Sequence, residues 1–291
     1  MPQIHERTFR VRLYECDAYG HVNHANYVRY MQETAFDATA AVGYDLAWYN
    51  AAGKVWNIRE TDITYHKPLK YGDSVTVTTW VQNFRRVRSR RNYELRHTAS
   101  GELVAVANSD WVFLDRQTRR PTSVPPEMMA AFIPEGSPAR PARRPPFPQP
   151  PPPPPGVFTI TRPVVWADVD LEQHVNNAMY LTYLEECGTQ LCDHYGWPMP
   201  RMVAAGYAIL HHQYRLEYLA PAVLGDDLHI ATWVSNLRRA TGLRHYTIHR
   251  ASDGLLLLRA RLQWVWSNVH TGQPIRVPDE ILADFAPNFV W

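Results

Sequence analysis

Two short stretches of this chain bring an acid, a histidine and an asparagine close together. In the first they are Asp17, His21 and Asn23, and in the second Asp170, His174 and Asn176. A carboxylate can attack an electrophilic carbon or take a proton from water. An imidazole, with its ordinary pKa near 6.5, can act as base or orient the acid and a water. Each stretch runs into a segment with helical apolar spacing, so each stands at a helix N-terminus, where unpaired amides and the positive dipole end favour developing negative charge. Amides around Asn23-His24 and Asn176-Asn177 would hold an oxyanion there. The set suits a reaction centre mounted on a helix N-terminus. A plainer reading makes each Asp a helix cap and each His a loop residue.

Other residues that could serve such a site lie near these stretches. Tyr27 and Tyr180, with Tyr30 and Tyr183, could shape an acyl pocket or pack in the core. Glu33 and Glu186 occupy equivalent helix positions and could face a site or solvent. Arg85-Arg86, with Arg88 and Arg90-Arg91, is echoed by Arg238-Arg239 and Arg244 at a strand–turn junction. Arginine forks bind phosphate, so these could hold CoA phosphates or the acidic surface of a carrier protein, or could be a basic turn that only aids solubility. His211-His212 forms no metal-ligand pattern, and Cys16, matched by Val169, is not a nucleophile. No metal and no cofactor is expected.

The elements that must position these groups occur twice. His21 and His174 stand 174 − 21 = 153 positions apart, and the same offset relates Asp17 to Asp170, Tyr65 to Tyr218, Gly72 to Gly225, Trp80 to Trp233 and Trp111 to Trp264. A constant register over about a hundred residues marks a duplicated domain. In each copy the sequence predicts a strand (7–14 in the first) and then a helix. The helix carries a stripe of Tyr27, Tyr30, Met31, Thr34, Ala35, Ala38 and Val42, kept as Tyr180, Tyr183, Leu184, Cys187, Gly188, Leu191 and Tyr195. Gly43 and Gly196 stand where helices end. Period-two strands follow at 75–81, 91–98 and 102–114, matched by 228–234, 244–250 and 255–267. One helix against a curved antiparallel sheet is an α+β solution. The expected domains are 1–133 and 157–291. Between them lies a Pro-rich linker, 134–156, whose six prolines Pro150 to Pro155 would span roughly 19 Å as polyproline II.

Composition sets the class. The chain has 291 residues, 45% of them hydrophobic, which is enough for two real cores. A formal charge of +2 gives no footprint for nucleic acid. Three cysteines make no disulfide framework and fit a reducing compartment. Met1 to Thr8 has no apolar run, and no segment approaches a membrane span of about 20 residues. A cytoplasmic protein without membrane or nucleic-acid partners is expected.

Asp-x-x-Gly-His-Val-Asn-x-Ala-x-Tyr, followed by Tyr-x-x-Pro-x-x-x-Gly-Asp before a strand, resembles the hotdog-fold thioesterases of the 4-hydroxybenzoyl-CoA thioesterase type. The second copy, Trp166 to Asp170 and Gln173 to Asn177, is more similar to the acyl-ACP thioesterases, which carry two hotdogs in one chain. The resemblance implies a sheet wrapped round a central helix in each half, the halves paired as an intrachain pseudo-dimer, and sites at their interface. It also implies Asp17 and Asp170 as catalytic acids, with acyl-CoA or an acyl carrier protein as substrate and a possible homodimer of double hotdogs. The chain departs from that family at three points. Gly20 becomes Gln173 in the second copy; Glu15-Cys16 and Asp168-Val169 stand before the acids; and Tyr19 and Glu172 replace an Asn two residues past the Asp. The two sites are therefore expected to be inequivalent. A hotdog hydratase/dehydratase and a non-catalytic acyl-binding protein are the competing readings.

Overall fold

Tyr27, Tyr30, Met31, Thr34, Ala35 and Ala38 form the buried side of α1 (His24–Ala41), so the apolar stripe is the packing face. Asn23 caps the helix, accepting the Ala25 amide at 3.0 Å, and Gly43 ends it at φ +90°, a conformation cheap only for glycine. In the computed structural model residues 1–136 and 145–291 are described. They divide into two compact units, Met1–Pro146 and Phe147–Trp291.

In the first unit α1 packs across β1 (Ile4–Arg10) and β3 (Ser74–Arg85). Between them the chain forms α2 (Leu46–Ala52) and the long β2 (Lys54–Tyr65). β4 (Arg88–His97), β5 (Leu103–Asp115) and α3 (Pro126–Phe132) complete the unit. The strands are antiparallel in the order β1-β3-β4-β5-β2. The expected strand at 7–14 starts earlier and stops at Arg10, because Leu13–Glu15 coils into one 3₁₀ turn.

The second unit repeats the first. It contains β6 (Phe158–Pro163), α4 (Asn177–His194), α5 (Met199–Ala204), β7 (Tyr207–Tyr218), β8 (Asp227–Ser235), β9 (Thr241–Arg250), β10 (Leu256–Asn268) and α6 (Asp279–Asp284). The sheet runs β8-β9-β10-β7. On the outer edge of β8, β6 pairs antiparallel, and β11 (Phe289–Val290) runs parallel beyond it. The helix starts, His24 and Asn177, keep the 153-position offset. Both units are thus α+β hotdogs, one long helix on one antiparallel sheet.

Small residues on the helices set how closely the sheet approaches. At Gly188 a Cβ would lie 3.2 Å from the Tyr246 hydroxyl oxygen, so only glycine gives that phenol full room. In β9, Gly242 lies under Trp264, where a Cβ would meet the ring at 2.4 Å. Trp264 is accordingly buried, whereas its counterpart Trp111 is half-buried beside Ser89.

Of the expected linker, residues 137–144 lie outside the described residues. From Phe147 onward it lies on the second unit. The Phe147 ring is buried between the guanidiniums of Arg215 and Arg259, 5.2 and 4.9 Å from its centroid. Arg259 also donates to Gln149 at 2.8 Å. Gly156 is pressed against Pro287, and its carbonyl accepts from Asn288. Among the described residues no helix is long and apolar enough to cross a membrane.

Candidate active site

Each motif is a tight loop closed on itself. The Asp17 amide donates to the His21 carbonyl at 2.8 Å, and Asp170 to His174 at 3.1 Å. The turn needs a left-handed residue, which is Gly20 at φ +77° in one copy and Gln173 at φ +62° in the other. A side chain held there stores strain, a recurrent feature of functional loops.

The acids lie half-buried inside these loops. Asp17 Oδ1 accepts the amides of Tyr19 (2.8 Å) and His21 (3.2 Å). In the second copy Asp170 Oδ1 accepts the Glu172 amide at 2.9 Å. Its other oxygen accepts from the Asn176 side-chain amide at 3.2 Å. The Asn176 side-chain oxygen in turn accepts the Ala178 amide at 3.0 Å. One asparagine therefore caps α4 and fixes Asp170 to the helix start. His174 completes the group: its Nε2 is buried and finds no hydrogen-bond partner among the described residues. A buried ring nitrogen without a partner is costly unless something else binds it.

The helix amides sort themselves by geometry. Asn23 and Asn176 each donate their backbone amide to the carbonyl of the acid two residues before the motif Asp, Glu15 and Asp168, at 2.9 Å. In α4 the Ala178 amide is taken by the cap and the Met179 amide reaches the Asn176 carbonyl at 2.9 Å. The Asn177 amide, first in the helix, has no carbonyl of its own helix to bond, as helix geometry requires of that position.

Glu15 and Asp168, which the sequence offered only as departures from the family pattern, are both buried anchors. Glu15 accepts from the Arg12 amide and the Tyr30 hydroxyl, each at 2.7 Å. Asp168 accepts the Val165 amide at 2.9 Å and lies 3.5 Å from Arg162, whose guanidinium covers the Tyr183 ring. Burial and the carboxylate raise the Tyr183 phenol above its ordinary pKa. The signal available in the sequence was an acid at the same offset in both copies.

Tyr27 and Tyr180 pin the helix start to the loop ahead of β3 and β8. Tyr27 accepts the Leu69 amide and Tyr180 the Ala222 amide, both at 3.1 Å. Burial pushes the Tyr180 phenol up to about 12. Their rings meet Tyr65 and Tyr218 edge to face, and the Tyr218 hydroxyl donates to the Asn177 carbonyl at 3.2 Å. The His24 ring lies against Tyr65 at 4.7 Å. Glu33 and Glu186 pair with Arg7 and Arg162 on the neighbouring edge strands. In the second unit His211 lies 3.9 Å from Glu185.

The arginines separate into three groups. Arg85, Arg86, Arg238 and Arg239 are exposed at the β3–β4 and β8–β9 turns. Arg90 is held by both oxygens of Asp110, at 2.8 and 3.0 Å. Arg91 and Arg244 are buried. The Asp17 loop meets the chain just ahead of β3, where the Val22 amide donates to the Leu69 carbonyl, while Arg85 ends that 12-residue strand, roughly 36 Å along it. Within their own unit these exposed arginines are therefore remote from the acid.

Comparison with known proteins agrees with this geometry. The profile of the acyl-ACP thioesterase N-terminal domain matches residues 2–132, and that of the thioesterase-like superfamily matches residues 164–285. A chloroplastic palmitoyl-acyl carrier protein thioesterase of Gossypium hirsutum is 23% identical over 277 residues, covering 90% of this chain. The match covers 63% of that relative, so the chain spans under two thirds of its length. The solved 12:0-ACP thioesterase from Umbellularia californica is similar with a TM-score of 0.70 at 22% identity, over 90% of this chain and 93% of that one. An acyl-ACP thioesterase from Bacteroides thetaiotaomicron gives 0.66 at 17% identity, over 90% and 97%. At such identities the structures show a common fold. Each hotdog unit thus matches a thioesterase profile, that of the acyl-ACP thioesterase N-terminal domain on the first and that of the thioesterase-like superfamily on the second.

Proposed function

We propose that the protein hydrolyses acyl-ACP thioesters to a free acid and the carrier thiol, with Asp170 as the reacting acid. The observation that carries this reading is a carboxylate that Asn176 ties to a helix start, in a loop whose His174 Nε2 is buried and finds no hydrogen-bond partner among the described residues. Asp170 takes a proton from water, and the water oxygen attacks the thioester carbon. The carbonyl oxygen becomes an oxyanion held by the Asn177 amide. His174 Nε2 holds the attacking water in line. The tetrahedral intermediate collapses with cleavage of the carbon–sulfur bond, and the proton taken by Asp170 goes to the leaving sulfur.

The exposed turn arginines meet the acidic surface of the carrier in this scheme, not the reacting carbonyl. The family and the carrier named in the relatives' descriptions support the acyl-ACP choice over acyl-CoA. Release of free thiol from panels of acyl-ACP and acyl-CoA tests the reading. Acyl-ACP should be turned over with a KM that rises with salt, and Arg85→Ala/Arg86→Ala should flatten that dependence. A change in enoyl absorbance with no thiol released, or full thiol release by Asp170→Asn, would refute it.

A further inference from the structure

Three tight turns meet at the end of the first unit that carries the Asp17 loop. The Glu15 amide closes the first on the Arg12 carbonyl, the Gly20 amide closes the second on Asp17, and the Asp73 amide closes the third on Lys70, at 3.1, 3.0 and 3.1 Å. Backbone bonds stitch the turns together: Asn23 donates to Glu15, Val22 to Leu69 and Val11 to Asp73. A tyrosine stands at a corner of each turn, Tyr14, Tyr19 and Tyr71, and Leu13 precedes Tyr14. Leu13, Tyr14 and Tyr71 are 70, 78 and 60% exposed, and Tyr19 is 43% exposed. Large apolar side chains gathered in the open mark an interaction surface.

Cations frame these corners. Arg10, Arg12 and Lys70 are exposed, and Arg12 donates to the Tyr14 hydroxyl at 3.1 Å. The carboxylates of the same turns are engaged within them. Asp17 accepts the Tyr19 and His21 amides. Asp73 accepts the Lys70 amide at 2.8 Å and lies 3.7 Å from His97. Glu15 is buried on the Arg12 amide. The outward charge of this end is therefore positive.

The second unit shows what the turns themselves require. It closes the same three, Asp168 on Val165, Gln173 on Asp170 and Asp226 on Val223, at 3.0, 2.9 and 3.1 Å. At the 153-position offset Tyr14, Tyr19 and Tyr71 become Ala167, Glu172 and Leu224, while Arg10, Arg12 and Lys70 become Pro163, Val165 and Val223. The turns thus form with neither tyrosine nor cation at these places. One copy has the whole set and the other has none of it, so the set serves the surface and not the loop.

We propose that this end of the first unit docks on an anionic lipid surface. A tyrosine at such a boundary keeps its ring among the headgroups and its hydroxyl in water. Binding there grows with the apolar area buried and with attraction to anionic lipid, each Lys or Arg contributing about fivefold in affinity. Corners that project singly from separate turns enter between soft headgroups without a fitted groove to receive them. Docking does not depend on which acid loop reacts.

The test is co-sedimentation of the full chain with vesicles of phosphatidylcholine, alone or mixed with phosphatidylglycerol. The chain should pellet with the mixed vesicles, less so as salt rises, and should bind phosphatidylcholine alone at least about tenfold more weakly. Arg10→Ala/Arg12→Ala/Lys70→Ala should weaken binding to the mixed vesicles about 100-fold. Tyr14→Ser/Tyr71→Ser should weaken it at least about tenfold. All five positions are exposed, so both variants should melt as wild type does. Arg238→Ala/Arg239→Ala, which removes exposed charge elsewhere, should leave vesicle binding as it is. No pelleting, equal binding to both kinds of vesicle, or binding unmoved in either platform variant overturns the proposal. So does an equal loss in Arg238→Ala/Arg239→Ala. A cation variant that keeps vesicle binding but loses affinity for an acyl carrier protein assigns these residues to a protein partner and overturns it too.

Discussion

At the scale of single residues the most informative position is Asn177. It is first in α4, where proline fits a helix without losing an internal hydrogen bond. The preceding Asn176 has φ −60° and ψ 139°, the extended geometry a following proline demands. Asn177→Pro, compared with Asn177→Ala, which removes the same carboxamide, therefore isolates the loss of one N–H. If that amide holds the oxyanion, kcat should fall about 100- to 1000-fold, while the melting temperature stays near wild type. A variant that keeps wild-type turnover would move the oxyanion donor elsewhere. Gln173 adds a second lesson at this scale. A non-glycine residue at φ +62° shows that the second loop holds its shape against a local cost.

At the scale of elements, what the sequence disclosed followed regularity. The stripes of α1 and α4 were readable because each helix keeps its period for 18 residues. β2 and β7 were not readable. Each carries a bulge, at Arg59 and His212, where the ladder skips a residue and the alternation slips. α2 and α5 are too short to show a period. The pairing of β2 with β5 joins strands far apart in the chain, and no local pattern encodes it. Asp, His and Asn in the two loops were readable because they recur. Which of the amides around Asn176-Asn177 the loop itself uses was not, since the Asp168 carbonyl takes the amide of Asn176.

β9 also carries a pH-sensitive element. His245 is buried, hydrogen-bonded to the Ser235 hydroxyl at 2.7 Å, and its pKa is lowered to about 4, first by burial and then by Arg261. The unfolded chain, with an ordinary histidine near 6.5, takes up this proton before the folded one does. Stability from this residue is full above about pH 6.5 and is lost as pH falls toward 4, by about 3 kcal/mol in total. Urea midpoints at pH 7 and pH 4.5 should show the loss. His245→Asn, which copies Asn92 of the first unit, should reduce it, and an unchanged pH slope would show that His245 is not its source.

At the scale of the whole molecule the two copies are alike in backbone and unlike in chemistry. Asp17 spends one oxygen on two loop amides. In the Asp170 loop Gln173 stands where the first copy has Gly20, and His174 Nε2 is buried and finds no hydrogen-bond partner among the described residues. Turnover should therefore depend unequally on them. Asp170→Asn should lower kcat by about 10²- to 10⁴-fold and Asp17→Asn by less than about tenfold. Equal losses, measured as thiol release under single-turnover conditions, would mean that the copies work alike.

Gly242 and Ser89 are one position in the two copies. Trp264 rests where any Cβ on residue 242 would intrude to 2.4 Å, so Ser89 denies Trp111 the same seat. A single hydroxymethyl group thus decides whether the tryptophan on the facing strand is buried or half-buried. After duplication, one nucleotide change is enough to switch a descendant half between the two packings without touching its reacting loop.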